Sequence, residues 1–335
     1  VVTYKEAGVD QAGADRFVGR IRTLSRDLDE SRVIGEIGLF SGLMDLTDLG
    51  YKEPVLAAGT DGVGSKLEIA FTLENHHTVG IDLVALSVND VICCGARPLF
   101  FLDYMAVGRL DLGQGEAIIK GIVEGCRQAR CVLLGGETSQ LPTFYRPGRY
   151  DLAGFAVGIV ERSKVIDGSR PRPGDVIIGL ASSGAHSNGF TLVRKIVEER
   201  GLEYSEYFDE GRTLGEELLT PMRIYVPEIM GLLEEGVDVR AIAHVTGGGI
   251  PGNLPRVLPD GVGARLEKSR WPVPRIFSSI AEWGAVSEDE MYSVFNMGLG
   301  MLVVVGPGDE ERALEAMGEG IIVGECTAEE GVALV

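Results

Sequence analysis

Short apolar runs that end in glycine clusters constrain this chain more than any other feature. Val55 to Ala58 reads as a strand and runs into Gly59-Thr-Asp-Gly-Val-Gly-Ser-Lys66, and Cys131 to Leu134 runs into Gly135-Gly-Glu-Thr138. Val176 to Ala181 leads into Ser182-Ser-Gly-Ala-His-Ser-Asn-Gly189, and Ile242 to Val245 into Thr246-Gly-Gly-Gly249. Between them, apolar residues recur at helical spacing. Val79, Leu83, Leu86 and Val91 mark a helix within 78–94, Ile118, Ile119, Ile122, Val123 and Cys126 one within 115–127, and Leu192, Val193, Ile196 and Val197 one within 190–200. Further strands are expected at Leu99 to Val107 and Leu152 to Val160, and a strand, helix and strand at 299–305, 310–317 and 321–323. This alternation predicts a layered α/β (α+β) fold. The 47 glycines, about twice the usual share, serve it as special turns.

A chain of 335 residues exceeds what one hydrophobic core usually serves, so two domains are expected. The Pro- and Gly-rich stretch Asp167-Gly-Ser-Arg-Pro-Arg-Pro-Gly-Asp175 marks the boundary, giving domains at 1–168 and 169–335. A formal charge of -19 argues against general nucleic-acid binding and against anionic lipid. It leaves room for a phosphorylated ligand, because backbone amides and a few cations can build a local positive field. No apolar run approaches the ~18 residues of a membrane span, and the first ten residues show no signal-peptide pattern. Five cysteines without a C-x-x-C pair, and four histidines, make zinc a poor fit and suggest reduced thiols in a cytoplasmic setting.

Two segments could handle phosphate and metal. In 59–66, small residues let backbone N–H groups turn toward an anion, Lys66 adds a cation and Asp61 suits Mg²⁺. Ser65 stands where a Walker A loop has its Lys, so a standard P-loop is excluded. A plain tight turn remains the alternative. Asp82, Asp90 and Glu137 sit beside apolar runs, where each could be a cap, an ion-pair partner or part of a shared metal site. Two later segments, 182–189 and 246–249, follow strands in the second half, where α/β domains hold ligands. His186 could bind phosphate or move a proton near neutral pH, and simple capping or glycine turns compete with both assignments. His76 and His77 are expected in a solvated loop, and His244 in a core.

These segments together resemble the phosphoribosylformylglycinamidine cyclo-ligase family. The resemblance rests on Tyr4-Lys-Glu-Ala-Gly-Val-Asp10, the 59–66 segment, Gly80-Ile-Asp-Leu-Val-Ala85, Val88-Asn-Asp90, Pro98-Leu-Phe-Phe-Leu-Asp-Tyr104, Gly135-Gly-Glu-Thr138, Ser182 to Gly189 and Ala243-His-Val-Thr-Gly-Gly-Gly249. It implies a homodimer whose N-terminal domains share a dimer-spanning sheet or barrel with flanking helices, followed by a C-terminal α/β sandwich. It implies ATP-dependent closure of an imidazole ring in purine biosynthesis, with ATP near Gly35 to Gly42, Gly59, Asp61, Gly62, Gly64, Ser65, Lys66, Asp82, Asp90, Gly135, Gly136 and Glu137. Magnesium would fall on Asp61, Asp90 and Glu137, with potassium as a further cation. A phosphoribosyl substrate would meet His186, Ser187, Asn188, Thr246, Gly247 and Gly248, and Lys66 and His186 are the catalytic candidates.

Two departures stand out. The family usually continues Gly-Gly-Glu-Thr with Ala-Glu-Met-Pro, whereas this chain has Ser139-Gln140-Leu141-Pro142, and Ala185 replaces a frequent Pro. The rival readings are a thiamine-monophosphate kinase or selenide water dikinase of the same superfamily. The latter usually carries a reactive Cys near its start, and none precedes Cys93. A catalytically dead nucleotide-binding protein is disfavoured by the joint presence of Asp61, Lys66, Asp90, Glu137 and His186.

Overall fold

The computed structural model describes residues 6–28, 31–209 and 211–335, so Tyr4 and Lys5 of the opening motif lie outside the described residues. The chain forms two compact units. One comprises Val1–Val91 with Pro98–Glu161, the other Ile92–Arg97 with Arg162–Val335.

In the first unit, helix α1 (Gln11–Ser25) begins where Asp10 accepts a hydrogen bond from the Gly13 amide at 3.1 Å. A two-residue ribbon follows, β1 (Val33–Ile34) against β2 (Leu43–Met44). Strands β3 (Pro54–Gly62), β4 (Arg97–Val107), β5 (Val132–Gln140) and β6 (Tyr150–Glu161) build a four-stranded sheet in the order β3-β6-β4-β5. Helices α2 (Leu67–Leu73), α3 (His77–Cys93) and α4 (Leu112–Gln128) complete the unit. The apolar stripe expected on 115–127 is the buried face of α4. α3 and α4 meet backbone to backbone, because a Cβ on Gly121 would stand 1.9 Å from the His77 carbonyl oxygen and one on Gly80 2.3 Å from that of Ile118.

One expectation is corrected here. The 59–66 and 135–138 segments are not wholly loops. Gly59 to Gly62 continue β3, with Gly59 paired to Ala156 and Asp61 to Gly154, and Gly135 to Thr138 continue β5 beside β4. Close packing calls for glycine at two of these strand positions: a Cβ on Gly62 would stand 2.9 Å from the Leu152 carbonyl oxygen, and one on Gly136 2.2 Å from Asp103 Oδ1. Glycine inside a strand here marks the close approach of a neighbouring strand.

The second unit holds β7 (Val176–Ala181), the ribbon of β8 (Tyr207–Asp209) and β9 (Arg212–Thr213), then β10 (Val239–His244), β11 (Gly263–Leu266), β12 (Leu299–Val305), β13 (Ile321–Thr327) and β14 (Val332–Leu334). Six strands form a sheet in the order β10-β12-β7-β13-β11-β14. All its neighbours are antiparallel except β11 and β14. β12 is buried at every residue, as its unbroken apolar run implies. Helix α5 (Phe190–Arg200) follows β7 through the 182–189 loop.

Candidate active site

In the first unit, a cavity of about 800 Å³ lies among α1, the 36–42 segment and the middle of β4 and β5. Phe17, Phe100, Leu102 and Leu134 supply apolar wall, and Gly38, Gly42, Gly135, Gly136 and Glu137 expose backbone and a carboxylate. This volume is in the range of small-molecule sites. Asp103 lines it from β4. Burial pushes its carboxyl up to about 7, with Glu137 adding to the shift. Gly136 is required beside it, since a Cβ there would stand 2.2 Å from Asp103 Oδ1. Sequence reasoning passed over Asp103, although an acid inside the apolar run Leu99 to Val107 was the available signal.

Gln140 anchors α1 to this strand. Its Nε2 donates to the Asp10 carbonyl and its Oε1 accepts from the Asp10 amide, each at 3.3 Å. The position that usually carries an acid is here an amide holding the first turn of the helix that roofs the cavity.

The carboxylates divide. Asp90 packs against Gly59, where an added Cβ would stand 3.6 Å from the Asp90 Cβ, and both Asp61 and Asp90 are exposed. Glu137 is exposed too, but β3 and β5 are the two edges of the sheet, so Asp61 and Glu137 lie on opposite sides of it. Among the described residues, no group of three or more His, Cys, Asp and Glu side chains could hold a metal ion. The expected trio of Asp61, Asp90 and Glu137 therefore does not come together as one magnesium site within one chain.

Lys66 and Asp82 require a second correction. The Lys66 ammonium lies 2.8 Å from Asp82, and both side chains are 0% exposed. Lys66 closes the one-turn helix Gly64–Lys66 and is buried there rather than turned toward an exposed phosphate. Gly64, with φ of +71°, makes that turn. Gly62 is exposed and Ser65 half-buried, and Asp61 Oδ1 accepts from the Gly62 amide at 2.7 Å.

In the second unit, the two expected loops come together: a Cβ on Gly247 would stand 3.4 Å from Asn188 Oδ1. His186 is corrected. It is buried, adopts a left-handed φ of 57°, and its Nε2 accepts from the Ser183 amide at 3.2 Å. That bond places the ring proton on Nδ1. Gly300 makes room for it, since a Cβ there would stand 2.6 Å from His186 Cε1 and 2.0 Å from the Tyr225 hydroxyl. Ser187, Asn188 and Thr246 are half-buried, and Gly247 and Gly248 are exposed.

Two buried amides shape these loops, and neither was singled out from the sequence. Asn253 Nδ2 donates to the carbonyls of Thr246, Gly247 and Gly249 at 3.3, 3.1 and 2.8 Å. Asn296 donates to the Gly184 carbonyl and accepts from the Gly298 amide, both at 2.9 Å. Likewise, His76 is half-buried rather than solvated, with Nδ1 2.9 Å from the Tyr150 hydroxyl. His77 is exposed at the start of α3, and His244 is buried on β10.

Residues 45–160 match the N-terminal domain, and residues 172–335 the C-terminal domain, of AIR synthase related proteins. A curated relative from Anaeromyxobacter dehalogenans, phosphoribosylformylglycinamidine cyclo-ligase, is 55% identical over 94% of this chain and 92% of its own length. Among solved structures, thiamine-monophosphate kinase from Stenotrophomonas maltophilia is similar with a TM-score of 0.66 at 17% identity, covering 97% of this chain and 96% of its own. Hydrogenase maturation protein HypE in complex with ATP also gives 0.66 at 17% identity, covering 94% of this chain and 86% of its own. At that identity the structures show a shared fold. The relative's near-complete coverage at over half identity shows more: this chain belongs to the phosphoribosylformylglycinamidine cyclo-ligase family.

Proposed function

We propose that the chain closes the imidazole ring of formylglycinamidine ribonucleotide at the expense of ATP, yielding aminoimidazole ribonucleotide, ADP and phosphate. The observation that carries this in the structure is the cavity against Gly135 to Glu137, with the Gly38 to Gly42 segment over it. It offers apolar wall for a base and exposed glycine backbone for a triphosphate. The thiamine-monophosphate kinase shares the fold at 17% identity, whereas the cyclo-ligase relative is 55% identical.

The chemistry starts from a formamide oxygen that is a poor leaving group. That oxygen attacks the γ-phosphorus, the bond to the β-phosphate oxygen breaks, and ADP leaves. The iminophosphate carbon is then attacked by the amidine-side nitrogen. The C–N bond forms, the C–O bond breaks, phosphate departs and the nitrogen loses a proton. Such steps depend on positioning and charge stabilisation. In a site shared by two chains, the backbone of Gly135 and Gly136 with Glu137 from one chain, and the backbone of Gly59 and Gly62 with Asp61 and Asp90 from the other, orient the nucleotide. Ser187, Asn188, Thr246, Gly247 and Gly248 hold the substrate. Lys66 and His186 act from behind, the first through Asp82 and the second by fixing the 182–189 loop.

A homodimer fits the face of the first unit's sheet that exposes Leu56, Tyr104 and Phe155, the last two of which also border the cavity. A shared carboxylate site would need a second chain, because one chain keeps Asp61 and Glu137 on opposite edges. Five free cysteines accord with work in the cytoplasm.

The test is ADP release with and without formylglycinamidine ribonucleotide. Wild-type enzyme should release ADP only when it is present. Asp61→Asn should cut turnover by roughly 100-fold with little change in thermal midpoint. Near-normal turnover of that variant at saturating magnesium would remove Asp61 from the site.

A further inference from the structure

We propose that Arg22 is a positioning residue for the nucleotide: it latches the 35–42 segment over the cavity of the first unit, an inference that rests on the nucleotide reading given above. The segment is the tip of a ribbon with two residue pairs, Val33 with Met44 and Ile34 with Leu43. A ribbon this short has little stability of its own. Its neck is closed by the Asp45 amide, which donates to the Arg32 carbonyl at 2.8 Å. Farther out, Gly42 packs on β5, where a Cβ would stand 2.5 Å from Leu134 Cγ. At the tip, Leu39 and Phe40 are exposed.

Arg22, on α1, holds the other limb. Its Nε donates to the Ile37 carbonyl, and its Nη1 lies 3.7 Å from Glu36. Gly38 lies against the same guanidinium: its φ is +104°, and a Cβ there would stand 2.6 Å from Arg22 Nη2. Among the described residues, no other side chain hydrogen-bonds to 35–42. Arg22 and Glu36 both reach solvent, so their ion pair adds little and the bond to the carbonyl is the contact that counts. Ile37 and Gly38 line the 800 Å³ cavity and Arg22 does not. Arg22 borders a smaller cavity of about 310 Å³, which shares Glu36, Ile37, Gly42 and Leu134 with the larger one. The segment is a wall between the two, held from behind by the guanidinium. Without that latch a nucleotide would have to order the tip as it binds, and the entropy of ordering would be subtracted from its affinity.

The competing roles are a surface contact without consequence and a direct contact of Arg22 with the nucleotide. Arg22→Met keeps the aliphatic stem and removes every donor. Gly38→Ala pushes the segment off the guanidinium and leaves Arg22 in place. Calorimetric binding of adenylyl imidodiphosphate with magnesium, together with hydrogen exchange of the free protein, separates the roles. Under the proposal, each variant weakens binding about 3- to 10-fold, and Arg22→Met introduced into Gly38→Ala costs nothing further. Exchange at the 36–42 amides quickens in Arg22→Met while that of α1 stays as in wild type. Unchanged affinity in Arg22→Met, losses that multiply in the double variant, or quickened exchange throughout α1 overturns it. A wild-type enzyme that does not bind the analogue refutes the nucleotide reading and this proposal with it, whereas wild-type binding with Arg22→Met unaffected refutes this proposal alone.

Discussion

Lys66 Nζ lies 2.8 Å from Asp82 Oδ2, and neither side chain reaches solvent. Burial pulls the Lys66 pKa below its ordinary value, and Asp82 opposes that pull. A buried pair of this kind is more damaging half-removed than wholly removed. Lys66→Met is expected to cost about 3–5 kcal/mol in urea denaturation, because Asp82 is stranded. The double variant Lys66→Met with Asp82→Leu should recover most of that loss. A single variant as stable as wild type would show that the pair does not hold the turn at Gly64.

Gln140 grips both backbone groups of Asp10. In Gln140→Glu the donor to the Asp10 carbonyl is lost and two acceptors face each other. The Asp10 carbonyl also accepts from the Ala14 amide at 3.0 Å, so the first turn of α1 should loosen. We expect a loss of about 1 kcal/mol and faster hydrogen exchange at Gly13 and Ala14. Unchanged exchange at those amides would refute the anchoring role.

His76 gives a pH dependence. Its ring lies 2.9 Å from the Tyr150 hydroxyl and 3.2 Å from Gln114 Nε2. Burial lowers its pKa below 6.5, with Glu74 and Asp111 opposing. The unfolded chain therefore binds the proton more readily than the folded one. The contribution to stability is complete above 6.5 and is lost as pH falls through the lower, folded-state value. Thermal midpoints between about pH 5 and pH 8 should fall less steeply on acidification in His76→Gln than in wild type. Parallel curves would rule His76 out as the source.

His186 accepts from the Ser183 amide and fills the space beside Gly300. His186→Ala leaves that amide without its acceptor and opens a cavity, at an expected cost of about 1–3 kcal/mol. Activity should fall together with the thermal midpoint, and added imidazole should not restore it. Rescue by imidazole would return His186 to the role of proton carrier.

Much of the fold was legible because helix and strand spacing are local properties. The stripe on 115–127 and the continuous apolar run at 299–305 each needed only neighbouring residues. The extent of the glycine segments was not legible. Gly136 reads as part of a loop until Asp103 of the neighbouring strand is placed beside it, where a Cβ would stand 2.2 Å from Asp103 Oδ1, and only then does a strand glycine become necessary. Asn253 was equally silent, because the three carbonyls it holds become a set only after the chain has folded around them.

The order of strands, glycine turns and helices, and the family they resemble, followed from the sequence alone, since spacing and residue type along the chain encode them. The tertiary structure alone decided which polar groups face a ligand. Lys66 looked like a phosphate cation and is an interior partner of Asp82, while His186 looked like a base and is a buried acceptor for Ser183. Burial depends on residues distant along the chain, such as Gly300 and Tyr225 around His186, and free energies of charge and hydrogen bonding follow burial rather than residue type.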